Sequence, residues 1–209
     1  QTDTAVAPDP DWSIQARFYD ATGTLSGTSF TLNTFTSGIQ SNPEVAADDA
    51  GNFLAVWESP DSPGTDTDLS IQGYLLNSLG EPLGDDFQVN THTTGNQFWP
   101  AVAGYDNLGF VVSWESGSTG GTDTNSSIQA RQLVGPLSSD FQVNTFTPDI
   151  QTYPAVAADP RGNFVVVWSS DGSGGSDTSD YSIQGQRYDA LFRDGFDTND
   201  TSRWSATAP

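Results

Sequence analysis

Gly162-Asn163-Phe164-Val165-Val166-Val167-Trp168 is the stretch whose reading decides the fold. Its residues are β-branched or aromatic almost throughout, and both alternate faces are apolar, so a strand built from it must be covered on two sides. The turn Asp159-Pro160-Arg161-Gly162 opens it. Counterparts run from Phe53 to Trp57 and from Phe110 to Trp114.

Working outward, four landmarks keep one register. Ile14, Ile71, Ile128 and Ile183 each sit in a Ser-Ile-Gln tripeptide, at spacings of 57, 57 and 55 residues. Trp57, Trp114 and Trp168, Pro43, Pro100 and Pro154, and Asn33, Asn90 and Asn144 recur in the same way. Such self-similarity marks a repeat architecture. Upstream of each core strand lies a short, small-sided segment such as Pro154-Ala155-Val156-Ala157-Ala158. Downstream comes an alternating one, Ser182-Ile183-Gln184-Gly185-Gln186-Arg187-Tyr188, that suits a half-exposed strand. Phe87-Gln88-Val89-Asn90 and Phe141-Gln142-Val143-Asn144 read as outer strands. Pro, Gly and Asn interrupt every helical run.

The expected fold is therefore all-β: three four-stranded propeller-like blades plus an N-terminal two-stranded partial repeat, with no significant helix. Residues 1–33 form the arm and partial repeat, 34–190 the three tandem repeats (34–90, 91–144 and 145–190), and 191–209 a tail. The repeats resemble, over residues 12 to 190, the blades of secreted bacterial β-propeller proteins with a Gly-Asn-Phe-Val-Val-Val-Trp core strand. The tail from Asp194 to Ser205 is similar to the Asp-Gly-Phe…Trp-Ser ending of exported proteins of Gram-negative bacteria, differing at Asp197, Thr198 and Asn199. The whole arrangement also resembles secreted bacterial proteins that polymerise into extracellular fibrils.

Composition narrows the function. The chain carries 27 Asp and Glu against 6 Arg and no Lys, a formal charge of −21, so phosphate backbones and anionic lipid heads are repelled and neither nucleic acid nor membrane insertion is expected. Its 12 Phe, 6 Tyr and 6 Trp supply the apolar surface of a folded chain. There is no Cys, and stability must come from packing. A first residue other than Met fits removal of a leader, which points to an extracellular or cell-surface location.

The ends of the repeat array do not match. Ser13 to Tyr19 and Phe30 to Asn33 are third and fourth strands without a first and second, whereas the last repeat stops at Tyr188 with no outer strand. Complementary loose ends favour head-to-tail association, as a ring or a helical filament. Ile14, Ala16 and Phe18, with Phe30 and Leu32, are the residues expected to fill a neighbour's groove around Ile183 and Tyr188 by strand addition. The alternative is that the arm closes the last blade of its own chain.

Candidate chemistry is sparse. His92 stands where Phe35 and Phe146 occupy the other repeats, and Glu58 and Glu115 follow the repeated Trp, but Ser169 breaks that pattern. The chain reads as no enzyme. Loops holding Asp66, Asp123 and Asp177 recur at one place per repeat and offer oxygen ligands for Ca²⁺, although the same residues make ordinary solvated turns. No other cofactor is implied. Asn125 and Asn199 fit the Asn-x-Ser/Thr glycan acceptor. Trp12 and Trp99 fall outside the repeated Trp positions and are candidates for an interface or a sugar platform. The function expected is an extracellular structural protein that polymerises with itself into a helical fibril; the alternative is a carbohydrate-binding lectin of propeller type.

Overall fold

The computed structural model describes residues 12–60, 68–106, 108–118, 125–133, 139–172 and 181–189. Every element among them is a strand, and the strands form four antiparallel sheets that follow chain order. A half-blade contains β1 (Gln15–Tyr19) and β2 (Leu25–Thr31). The first blade contains β3 (Ser41–Ala47), β4 (Phe53–Pro60), β5 (Leu69–Leu76) and β6 (Phe87–Gln88). The second contains β7 (Gln97–Gly104), β8 (Phe110–Ser116), β9 (Ser127–Leu133) and β10 (Phe141–Gln142). In the third, β11 (Gln151–Ala158), β12 (Phe164–Asp171) and β13 (Tyr181–Tyr188) make three strands, in keeping with its lack of a Phe-Gln-Val-Asn segment.

The double-faced core strands dictate how the blades stack. Side chains alternate along a strand, so Phe53, Ala55 and Trp57 point to one face of β4 and Leu54 and Val56 to the other. The first set, the entry face, packs on the half-blade through Ile14, Leu32, Phe18 and Phe30. The second set, the exit face, packs with Ile71 and Val89 on Phe110, Val112 and Trp114 of the second blade. The same step recurs where Val111, Ile128 and Val143 meet Phe164, Val166 and Trp168. Each large side chain so buried contributes about 1.5–3 kcal/mol. Small residues on the first strands bring blades close: a Cβ on Gly104 would lie 2.3 Å from the carbonyl oxygen of Ala47.

Polar clasps repeat along with the apolar ones. Asn33, Asn90 and Asn144 each accept the backbone N–H of Ile14, Ile71 and Ile128, respectively, at 2.8 Å, tying outer strand to third strand. At the outer rim, Asp86 accepts the N–H of Thr34 at 2.9 Å and Asp140 that of Thr91 at 2.6 Å, each reaching from one unit to the one before it. Inside, the indole N–H of Trp114 donates to Gln97 at 2.9 Å and that of Trp168 to Gln151 at 3.0 Å. The corresponding pair in the first blade, Trp57 and Gln40, is buried with both polar atoms unpartnered.

That difference makes a prediction. Trp114→Phe leaves the Gln97 carbonyl buried without its donor, at a cost of about 1–3 kcal/mol beyond the lost ring area. Trp57→Phe removes a donor that already lacks a partner. Urea unfolding should therefore find Trp114→Phe the more destabilising of the two.

Candidate functional site

Two regions depart from a plain stack of blades: the inner rim, where the first strands begin, and the two ends. At the inner rim each first strand carries a bulge, between Ser41 and Glu44, Phe98 and Ala101, and Thr152 and Ala155. The bulges place Asn42, Trp99 and Tyr153 at φ of 50°, 50° and 52°, each immediately before a proline. Asn tolerates this left-handed conformation, whereas an aromatic residue is strained in it. Trp99 and Tyr153 nevertheless sit there, 39% and 59% exposed, with ring centroids 5.2 Å apart and planes tilted by 49°. Trp99 therefore does belong to a repeated position, one shared with Tyr153 and Asn42. The sequence signal for it was the residue before each in-register proline.

One buried and one half-buried carboxylate hold this rim. Glu58, 4% exposed, accepts the backbone N–H of Trp99 at 2.7 Å, reaching from the first blade to the bulge of the second. Glu115 repeats the contact one blade on, accepting the Thr152 hydroxyl and the Tyr153 backbone N–H. Burial pushes the Glu115 carboxyl above its ordinary value, and the negative charge of Glu58 pushes the same way, against the hydrogen bonds from Thr152, Ser126 and Tyr153. The two glutamates that a carboxylate-pair reading would single out thus serve as joints between blades. His92 donates its backbone N–H to Asp140 at 3.0 Å, while its Nε2 is buried without a partner.

The ends are open. On the exit face of the third blade Val165 and Val167 are each 38% exposed and Ile183 is 75% exposed, where the equivalent Leu54, Val56, Ile71, Val111 and Ile128 are wholly buried. At the other end a groove of about 590 Å³ runs beside β1, lined by Ala16, Phe18, Val45, Phe53, Ala55 and Leu76. It lies where the half-blade, among the described residues, has no first and second strand.

Within one chain the residues expected in self-assembly fall at its two ends. Ile14, Ala16, Phe18, Phe30 and Leu32 pack on Ala55, Trp57 and Leu76 of their own chain, and they do not meet Ile183 or Tyr188. Nor do those two share a surface. Five residues apart on one strand, they point to opposite faces: Tyr188 stacks on Phe164 at 4.7 Å inside the core, and Ile183 faces outward. Closure of the last blade by the chain's own arm is likewise not found, because β1 and β2 pair with each other alone. Asn125 is exposed. Trp12 is exposed as well. Asp66, Asp123, Asp177 and Asn199 lie outside the described residues.

No protein-family model and no curated protein sequence matches the chain. Solved structures do. The NanB sialidase of Streptococcus pneumoniae aligns at TM-score 0.50 and 12% identity, covering 82% of this chain and 27% of that one. An endo-arabinase of Bacteroides thetaiotaomicron aligns at TM-score 0.47 and 14% identity, covering 81% of this chain and 63% of that one. These are propeller enzymes, and the likeness is one of fold: the chain consists of β-propeller blades. This corrects the expectation that the chain is not an enzyme. A fold shared with a sialidase is compatible with activity, so the sparse candidate chemistry of the sequence is no ground for exclusion.

Glu115 supplies a test of the rim. An acid whose pKa is raised on folding binds more protons folded than unfolded, so its stability contribution is highest below the ordinary value of 4.5 and falls as pH rises through the raised folded value. Glu115→Gln removes that dependence. Unfolding free energies measured across this window should show wild type losing ground to the variant as pH increases.

Proposed function

We propose that the chain is an extracellular structural subunit that assembles head to tail into a helical fibril, the third blade of one copy completing the half-blade of the next. The observation that carries this reading is the open exit face of the third blade. Its residues are those of a buried face: Val165, Val167, Ile183 and Gly185 stand where the covered first blade has Leu54, Val56, Ile71 and Gly73. In a chain of net charge −21, the one acid of the pattern is replaced there by Ser169. A solvent-facing sheet has no reason to keep valines and drop a carboxylate.

The opposite end supports the same reading. Seated in the groove, β11 and β12 of a second copy would lay Val165 and Val167 over Phe53, Ala55 and Val45, as Leu54 and Val56 lie over Phe110 and Val112 within the chain. Two departures from the repeat would then meet: Ser169 in place of Glu, and Asn42 in place of an aromatic at the bulge. A contact between unlike ends propagates, and a rotation that does not close yields a filament.

Val167→Asp combined with Ile183→Asp tests it. Both side chains are solvent-facing in the single chain, so the thermal midpoint should hold while the long particles expected of wild type in electron micrographs disappear. Wild type that stays monomeric at high concentration overturns the reading.

The inner rim favours a second reading, that the chain binds neutral saccharides. Trp99 and Tyr153 present adjacent exposed rings, and the acidic surface disfavours anionic sugars. Asn stands at the equivalent position 42 with the same φ, so Trp99→Asn and Tyr153→Asn should fold. They should also lose any binding of neutral β-linked glucan, mannan or galactan hexaoses seen by titration calorimetry. Binding that survives both substitutions, or none by wild type, rules this reading out.

A further inference from the structure

The half-blade imitates the strand that a neighbour would bring. Ser13-Ile14-Gln15, which leads into β1, and Tyr19 at its end match Ser182-Ile183-Gln184 and Tyr188 on β13, while Ala16-Arg17-Phe18 stand against Gly185-Gln186-Arg187. Pairing agrees as well. Gln15 lies opposite Thr31 in the register that sets Gln72 opposite Gln88 and Gln129 opposite Gln142, so β1 and β2 occupy third-strand and fourth-strand places. Asn33 caps Ile14 with the same 2.8 Å bond that Asn90 and Asn144 make in complete blades. The third blade has strands one to three and, among the described residues, no fourth. A third blade seated in the groove of another copy would therefore bring β13 to the place that β1 already holds.

We propose that β1 is a stand-in: in the isolated chain it holds the place that β13 of a second copy takes on assembly, while β2 stays as the fourth strand of the composite blade. This rests on the head-to-tail reading above. The exchange favours the incomer. β1 pairs along one edge only, through four residue pairs interrupted by a bulge between Ala16 and Phe18. β13 pairs with β12 at eight positions without a break and arrives in one sheet with the two strands that fill the groove. Ile183 then exchanges 75% exposure for the buried setting of Ile14, and Asn33 keeps its role with Ile183 as donor. Because β1 must leave first, the single chain is self-capped and polymerises after a lag.

Two measurements test the exchange on the full chain. Hydrogen exchange compares wild-type monomer with wild-type assembly: the amides of Gln15 to Phe18 should lose protection on assembly, while those of Phe30 to Leu32 keep or gain it. Protection of β1 that is retained overturns the proposal. The second uses Gln15→Cys with Thr31→Cys, a directly opposed pair on the exposed face, in a chain otherwise without cysteine. Oxidation pins β1 to β2 and should slow assembly at least tenfold relative to the reduced protein, whereas wild type responds to neither condition. Equal assembly in both redox states refutes the exchange and leaves head-to-tail assembly intact. No assembly by wild type or variant refutes the head-to-tail reading itself.

Discussion

A β-strand that is apolar on both faces needs a neighbour on each side, and the rest of this molecule follows from that need, which arises three times. β4 and β8 meet it inside the chain, covered by the unit before and the unit after. β12, among the described residues, meets it on one side only. Stacking of sheets is thus not a consequence of the repeat but the condition for any single repeat to fold, since one blade alone would leave Phe, Val and Trp side chains in water.

Much of this was legible in residue order. The register of Ser-Ile-Gln, Asn, Pro and Trp placed the strands and their sequence within each blade, because some of these residues make repeated hydrogen bonds: Asn with the third-strand N–H it caps, Trp114 and Trp168 through the indole with a Gln seventeen residues earlier. The mismatch of the two ends was legible for the same reason. What residue order hid were contacts made across blades. Glu58 and Glu115 look like catalytic carboxylates in one dimension and become bulge anchors in three, since their partners lie 41 and 37 residues away in the next repeat.

The face assignments were hidden too. Ile183 and Tyr188 belong to one strand and one motif, yet an odd separation sends them to opposite sides, one to the solvent and one against Phe164. Trp99 looked solitary because its counterparts are Tyr153 and Asn42: what the repeat keeps at that position is a backbone conformation, and side-chain identity is released to vary. The inner rim and the open face thus escape pattern reading for opposite reasons, the first through variable residues on a fixed backbone, the second through fixed residues in a changed environment.

The acid clasps have a consequence for the medium in which such a protein is at home. Asp48, Asp86, Asp140, Asp159, Glu58 and Glu115 are each held by amide or hydroxyl donors of the chain. The ion pair of Arg187 with Asp189, by contrast, lies at the surface. Dissolved salt screens charge against charge over a Debye length of about 8 Å at physiological strength, whereas the bonds of the buried Glu58 and Asp48 are sheltered inside the fold. Adding salt therefore relieves the mutual repulsion of an acidic surface while leaving its joints in place.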